Sequence, residues 1–254
     1  MIDDLKGKRI LVIGSSTGIG AAVAKAYAEL GAKVAVHYNS SRDQAQALVK
    51  EIEGAGGHAI LVGGDVSQTR GATKVVDEAA AGLGGLDVLV NNAGALLKRA
   101  RLGEIDDALY DQVLDLNVRS VVMASQAALP HLRKAGGGSI IHTSSVAARN
   151  GGGPGALLYA SAKAFVGNAV RNMAKELVGD RIRVNGVAPG VITTPFHERY
   201  STPEMLETMR KTIPMAVLGT PEDCVGAYVF LASNKMSGYV TGQIIEVNGG
   251  QLMP

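Results

Sequence analysis

The sequence predicts a doubly wound α/β fold, in which a parallel sheet of about seven strands lies between two layers of helices. Three observations predict it. Short, mostly β-branched apolar runs recur at 10–13, 34–36, 60–62, 88–90, 140–141, 182–187 and 244–247. These runs are nearly continuous rather than alternating, the pattern of strands buried on both faces. The segments between them carry helical spacing, and strand–helix alternation implies parallel strands joined by right-handed crossovers.

The first helix shows the logic. Ile19, Val23, Tyr27 and Leu30 form one stripe, and the pattern stops at Gly31, a good helix-terminating residue. No linker, internal repeat or long low-complexity segment interrupts the series, so residues 1–254 read as a single domain. The one long departure is 193–215, which holds Pro195, Pro203 and Pro214 between the sixth strand and a helix beginning near Pro221. An excursion at the carboxyl end of a parallel strand sits where open α/β sheets bind ligands, so it is read as a substrate lid.

Composition bounds the function. The chain has 33 glycines in 254 residues, nearly twice the usual ~7%, and 46% hydrophobic residues without Trp. That describes a packed globule with many tight turns, and excludes general disorder and collagen. Net charge is +2, with Lys and Arg scattered, so neither a nucleic-acid footprint nor a membrane patch is expected. A single cysteine, Cys224, excludes an internal disulfide and a multi-thiolate metal site. Residues 1–8 lack an apolar run and nowhere do ~18 apolar residues follow one another, so a cytoplasmic location is expected.

After the first strand comes Gly14-Ser15-Ser16-Thr17-Gly18-Ile19-Gly20, opening straight into the first helix. Glycines let backbone approach a pyrophosphate, and the helix N-terminus offers unpaired N–H groups to the anion. The spacing differs from G-x-G-x-x-G, and an ordinary strand-to-helix turn is the competing reading. The second strand ends in His37-Tyr38-Asn39-Ser40-Ser41-Arg42, without the carboxylate that would bind a ribose 2′-hydroxyl of NAD. Tyr38, Asn39, Ser40 and Arg42 therefore favour NADP(H), with NAD(H) as the alternative. Capping of the next helix by Ser40 or Ser41 would explain them equally simply.

Tyr159 and Lys163 stand four apart in a helical segment and so share a face. A nearby ammonium stabilises phenolate, so Lys163 should lower the pKa of Tyr159 toward that of a working acid/base. Alone, such a pair more often reports a packed ring beside a solvated amine.

Over nearly its whole length the chain resembles the short-chain dehydrogenase/reductase family, including 3-oxoacyl-acyl-carrier-protein reductases. The matching elements occur in the family's order: the Gly14 to Gly20 turn, Asp65-Val66, Asn91-Asn92-Ala93-Gly94, Asn117, Ser144-Ser145, Tyr159 with Lys163, Pro189-Gly190 with Thr194, and Val247-Asn248-Gly249-Gly250. The resemblance implies a Rossmann-type three-layer α/β/α fold and an oxidoreductase interconverting a ketone and a secondary alcohol, or reducing a 3-oxoacyl group. It implies that Tyr159 exchanges the proton with the substrate oxygen and that Ser145 hydrogen-bonds that oxygen. Lys163 would hold the nicotinamide ribose and tune Tyr159. Asn117, on a helix spanning 105–134, would complete a proton relay. For the cofactor it implies an adenine contact from Asp65 and Val66, an adenine-ribose wall from Asn91, Ala93 and Gly94, and a nicotinamide edge from Pro189, Gly190, Ile192 and Thr194. Capping by Asp65 or Ser67 is the simpler alternative for the former. A homotetramer paired through helices at 105–134 and 158–179 is implied as well.

Two departures from the family pattern matter. Ser145 lies fourteen residues before Tyr159, one more than usual, across the glycine-rich 150–155 loop, which leaves Ser144 as an alternative hydroxyl. Val217 stands where acyl-carrier-protein reductases often carry Arg. The Asp107, Asp111, Asp115 stripe and the five histidines lack metal-ligand spacing, so no metal is expected. Lys98, Arg99 and Arg101 near the site mouth read either as a solvated basic loop or as a preference for an anionic substrate. Readings outside dehydrogenase chemistry are a catalytically silent NADP(H) sensor or scaffold, and an epimerase or dehydratase that retains its cofactor.

Overall fold

The computed structural model describes residues 3–253. Its seven strands are β1 (Arg9–Ile13), β2 (Lys33–Tyr38), β3 (His58–Gly63), β4 (Val88–Asn91), β5 (Gly138–Thr143), β6 (Ile182–Pro189) and β7 (Ile244–Val247). They form one sheet in the order β3-β2-β1-β4-β5-β6-β7, with every pairing parallel. Helices α1 (Gly18–Glu29), α2 (Arg42–Gly54), α3 (Thr69–Leu83), α4 (Asp107–Leu114), α5 (Ser120–Lys134), α6 (Ala147–Asn150), α7 (Leu157–Leu177), α8 (Pro195–Tyr200), α9 (Pro203–Lys211), α10 (Pro221–Ala232) and α11 (Asn234–Ser237) complete it. The expected three-layer α/β/α Rossmann-type architecture is therefore present.

Successive residues of β1 explain its unbroken apolar run. Ile10 and Val12 face a core shared with Tyr27 of α1 and Tyr228 of α10, whereas Leu11 and Ile13 face one shared with α3 and α5. Each strand residue is thus needed on one side or the other. On α1 the predicted stripe buries Val23 and Tyr27, and the Tyr27 hydroxyl donates to the Tyr228 carbonyl at 2.9 Å. Gly31, at φ 80°, takes the left-handed turn that ends the segment.

Strand order reverses direction between β1 and β4, so their connections leave on opposite faces and open a crevice at the carboxyl edge. Pairing of Ile13 with Asn91 sets Gly14 beside the chain that leaves β4.

One expectation needs correction. The predicted helix over 105–134 is interrupted, because residues Asp115–Arg119 wind as a π-helical turn between α4 and α5. Within the 193–215 segment lie α8 and α9, with Pro195 and Pro203 in their first turns, where a missing N–H costs nothing. Among the described residues no helix is long and apolar enough to cross a membrane.

Candidate active site

The glycine turn is held by backbone packing. Gly14 and Gly18 have φ of 76° and 58°, and a Cβ on Gly14 would lie 2.8 Å from the Cα of Ala93. A Cβ on Gly20 would collide with the Gly14 carbonyl. Thr17 is the N-cap of α1 and makes no side-chain capping hydrogen bond, which leaves the first N–H groups of the helix without that partner. Close-approach glycines leading to such an uncapped N-terminus fit a pyrophosphate.

His37, outside the family motifs, fixes this turn together with Ser15 and Asn92. The Gly14 N–H donates to Nδ1 of His37 at 3.0 Å, so Nε2 carries the ring proton and donates to the Gly64 carbonyl at 2.9 Å. Burial pushes the pKa of His37 down, which keeps that tautomer neutral. Asn92 Nδ2 donates to the Gly14 carbonyl at 2.9 Å. The Ser15 hydroxyl donates to the Val12 carbonyl and accepts from the His37 N–H, so this side chain ties strands together. Ser16 and Ile19 are half-buried. Asn92 was legible only as the second Asn of its pair, and His37 gave no signal at all.

At the end of β2, Asn39, Ser40 and Arg42 are exposed. The Tyr38 ring covers Gly63, where a Cβ would lie 2.6 Å from its Cζ. Ser41 occupies the N-cap of α2 without a side-chain bond, so capping does not account for these residues. The Asp65 carboxylate accepts from the Ser67 N–H and hydroxyl at 3.0 and 2.7 Å, while Gln68 is the N-cap of α3; neither Asp65 nor Ser67 caps it. Val66 is buried in the core.

Asn117 and Lys163 meet at Gly94, while the Tyr159 ring lies beside Lys163 and Ser145 lies beside the Tyr159 hydroxyl. A Cβ on Gly94 would lie 2.7 Å from Asn117 Oδ1 and 2.8 Å from Lys163 Nζ. Asn117 sits in the π-helical turn, fully buried; its Nδ2 donates to the carbonyls of Ala95 and Val113, and its Oδ1 accepts from the Ala95 N–H. The turn thus joins the chain after β4 to the α4–α5 junction, a placement that regular periodicity hides. Lys163 Nζ donates to the Thr143 carbonyl at 2.8 Å, and burial pushes its pKa down to about 8.

The expected effect of Lys163 on Tyr159 is not what prevails here. Burial pushes the Tyr159 hydroxyl up to about 12, with hydrogen bonding from Ser145 acting in the opposite direction. Lys163 Nζ lies 5.7 Å from the tyrosine ring centroid and is engaged by Thr143, so desolvation outweighs it.

Ser144 and Ser145 face different ways. The Ser144 hydroxyl donates to the Lys163 carbonyl at 3.0 Å, whereas that of Ser145 accepts from the Ala147 N–H at 3.1 Å. The longer serine–tyrosine spacing is taken up by α6 and by Gly151, Gly152 and Gly155, all left-handed. Asn91 turns into the sheet, its Nδ2 within 3.1 Å of Ser125 Oγ and His142 Nδ1, and so braces strands rather than lining the crevice.

On the far wall, the Pro189 carbonyl accepts from the Val146 N–H, and Gly190 packs against Asn248. Ile192 is buried and bridges to Gly219. Thr194 starts the lid, its Cγ2 only 3.2 Å from where Gly18 would carry a Cβ. From α8, Phe196 stacks on Tyr159 with centroids 5.5 Å apart. Among the described residues no group of three His, Cys, Asp or Glu is placed to hold a metal ion.

The family model described as enoyl-(acyl carrier protein) reductase matches residues 13–251. The chain belongs to the short-chain dehydrogenase/reductase family. It is 37% identical over 246 residues to the 3-oxoacyl-acyl-carrier-protein reductase of Staphylococcus aureus, covering 97% of this chain and 98% of that protein. Among solved structures it is similar to the NADH-dependent reductase A1-R' complexed with NAD, with 42% identity, TM-score 0.89 and full coverage of both chains. It is also similar to a short-chain dehydrogenase from Burkholderia cenocepacia in complex with NADP, with 35% identity, TM-score 0.91 and 98% and 99% coverage. These short-chain dehydrogenase/reductase neighbours support an oxidoreductase that uses a nicotinamide dinucleotide.

Proposed function

We propose that the protein is an NADP(H)-preferring oxidoreductase that interconverts a ketone and a secondary alcohol, or reduces a 3-oxoacyl group. The observation that carries this reading is the meeting of Asn117 and Lys163 at Gly94, with the Tyr159 ring beside Lys163 and Ser145 beside the Tyr159 hydroxyl. When bound, the dinucleotide supplies or accepts the hydride at the carbonyl carbon. Tyr159, kept protonated in its buried setting, delivers the proton to the carbonyl oxygen. Ser145 hydrogen-bonds the same oxygen as charge develops on it, a role supported by the commitment of the Ser144 hydroxyl elsewhere. Lys163 binds the nicotinamide ribose and returns a proton to Tyr159, with Asn117 anchoring the relay.

Gly14, Ser15, Ser16, Gly18, Ile19 and Gly20 form the pyrophosphate turn, mainly through backbone. Asp65, Val66, Ala93 and Gly94 bound the adenine and ribose side, with Asn91 bracing the sheet behind them. Pro189, Gly190, Ile192 and Thr194 form the nicotinamide edge. Arg42, exposed and without an ion-pair partner among the described residues, supports the NADP(H) preference together with Tyr38, Asn39 and Ser40. Residues 193–215 form the substrate lid of one domain, and exposed Leu157 and Phe165 on α7 with Tyr110 on α4 support pairing of subunits into a tetramer.

Tyr159→Phe tests the reading. It is expected to keep NADPH binding, followed by nicotinamide fluorescence, and to lose nearly all turnover across a carbonyl panel. Undiminished turnover would exclude Tyr159 as the acid. Tighter binding of NADH than NADPH would overturn the cofactor preference, and a 26 kDa particle by light scattering would overturn the tetramer.

A further inference from the structure

We propose that Tyr228 is a positioning residue for the reaction above: from within the core its hydroxyl fixes Thr143, the one residue bonded both to Lys163 and, through Asn92, to the glycine turn. This rests on the dehydrogenase reading and names a further residue on which that site depends.

The direction of each bond follows from atoms that can only accept. The Gly14 carbonyl accepts from Asn92 Nδ2 at 2.9 Å, so the same amide turns its Oδ1 toward Thr143. The Thr143 hydroxyl therefore gives its single proton to Asn92 Oδ1, at 3.4 Å, and accepts from the Tyr228 hydroxyl, 2.6 Å away. Tyr228 stays a donor because full burial pushes its pKa far above the ordinary tyrosine value. Its carbonyl accepts from the Tyr27 hydroxyl on α1 at 2.9 Å. One buried line of hydrogen bonds thus runs from α1 and α10 to Gly14.

Thr143 stands where the strand ladder stops. β5 pairs with β4 only as far as His142, opposite Asn91, so beyond that point β6 alone holds the Thr143 backbone. Side-chain bonds count for more there. The Thr143 carbonyl accepts from Lys163 Nζ at 2.8 Å, so a shift of Thr143 is felt at the amine and at the glycine turn together. The ring of Tyr228 packs in an apolar core with Val90, Ile141 and Val187, where phenylalanine would fill the same space. Only the hydroxyl reaches Thr143. A satisfied buried network of this kind holds its members in one arrangement.

The test compares Y228F, T143V, T143S and Y228F/T143V, changes that keep the side chains close to their original size. The readouts are NADPH binding by nicotinamide fluorescence, kcat and KM on a ketone that wild type reduces, and thermal unfolding; NADH replaces NADPH where it binds more tightly. Y228F is expected to lower kcat about fivefold and to raise the dinucleotide Kd by a similar factor, the scale of one neutral hydrogen bond, with the ketone KM unchanged. T143V should show at least these losses, T143S should stay near wild type, and Y228F added to T143V should cost nothing further. A lower melting temperature with wild-type kcat and Kd in Y228F would make Tyr228 a packing residue only and overturn the assignment. Losses that add in the double variant would overturn it as well. Where Y228F does not fold, T143V against T143S carries the test, and equal values in these two count against the assignment. If wild type reduces no ketone, the dehydrogenase reading fails first; the Kd series then decides Tyr228, and an unchanged Kd in Y228F overturns it.

Discussion

The ring of Phe196 lies 5.5 Å from the ring of Tyr159, tilted by 44°, so the lid rests on the residue assigned to exchange the proton. Phe196 also stacks edge-on against His197 and Tyr200 of the same helix, which makes α8 a small aromatic plug. Removal of this ring should let water reach the phenol and relax the burial that holds its pKa at about 12. In F196A the phenolate absorbance assigned to Tyr159, taken as the difference from F196A/Y159F, is expected to titrate near the ordinary tyrosine value of 10.0. Substrate KM should rise several-fold. An unchanged titration would show that the plug does not control solvent access.

The glycine turn ends at a histidine, and this coupling predicts a pH dependence. In the folded protein the pKa of His37 is lowered from 6.5, so below about pH 6.5 the unfolded chain takes up a proton that the folded one resists. Stability is therefore present at neutral pH and declines as pH falls through that region. Protonation at Nδ1 would also oppose the Gly14 N–H that it now accepts. NADPH affinity, titrated by fluorescence between pH 5.5 and 8, is expected to weaken together with stability on the acid side. His37→Phe should leave the Gly14 N–H unpaired, weaken binding about tenfold at pH 7 and flatten this dependence.

Much of this was legible from residues alone, for reasons visible in the structure. Strand runs stood out because both faces of the sheet are buried, and α1 because its buried stripe ends at a glycine. The family motifs located the residues that meet at Gly94. The break at Asn117 was not legible, since its cause is a side chain that bonds to Ala95, twenty-two residues away. His37 was hidden for the same reason: its partners, Gly14 and Gly64, come from two other strand ends. The pKa of Tyr159 was misjudged because i, i+4 spacing reveals a shared helix face but not the burial of both groups nor the capture of Lys163 by Thr143.

Gly94 offers a sharp steric test of the convergence. A methyl group there would sit 2.7 Å from Asn117 Oδ1 and 2.8 Å from Lys163 Nζ, both too close for carbon, and φ at this residue is not in the left-handed region. Gly94→Ala should thus fold but push both polar groups aside. Loss of kcat by at least about a hundredfold is expected, the scale on which misplacement of ~1 Å acts in catalysis. Wild-type turnover in a well-folded Gly94→Ala protein would separate Asn117 and Lys163 from the chemistry.

Lys163 should carry opposite signs for function and stability. Its ammonium is buried, and a fall of its pKa from 10.5 to about 8 corresponds to a charge-burial penalty on the order of 3 kcal/mol. Below pH 8 both folded and unfolded states hold the proton, so the penalty is complete. Between pH 8 and 10.5 the folded amine is neutral while the unfolded chain still binds a proton, and wild-type stability rises with pH. Lys163→Met removes the charge but leaves the Thr143 carbonyl without its donor, which takes back about 1–2 kcal/mol. The cofactor-free variant is thus expected to be more stable than wild type by about 1–2 kcal/mol at pH 7, with the difference fading above pH 8, and to lack turnover throughout. Denaturant titrations at pH 7 and pH 9.5 measure both values. A destabilised variant at pH 7 would mean that the Thr143 contact outweighs desolvation of the ammonium.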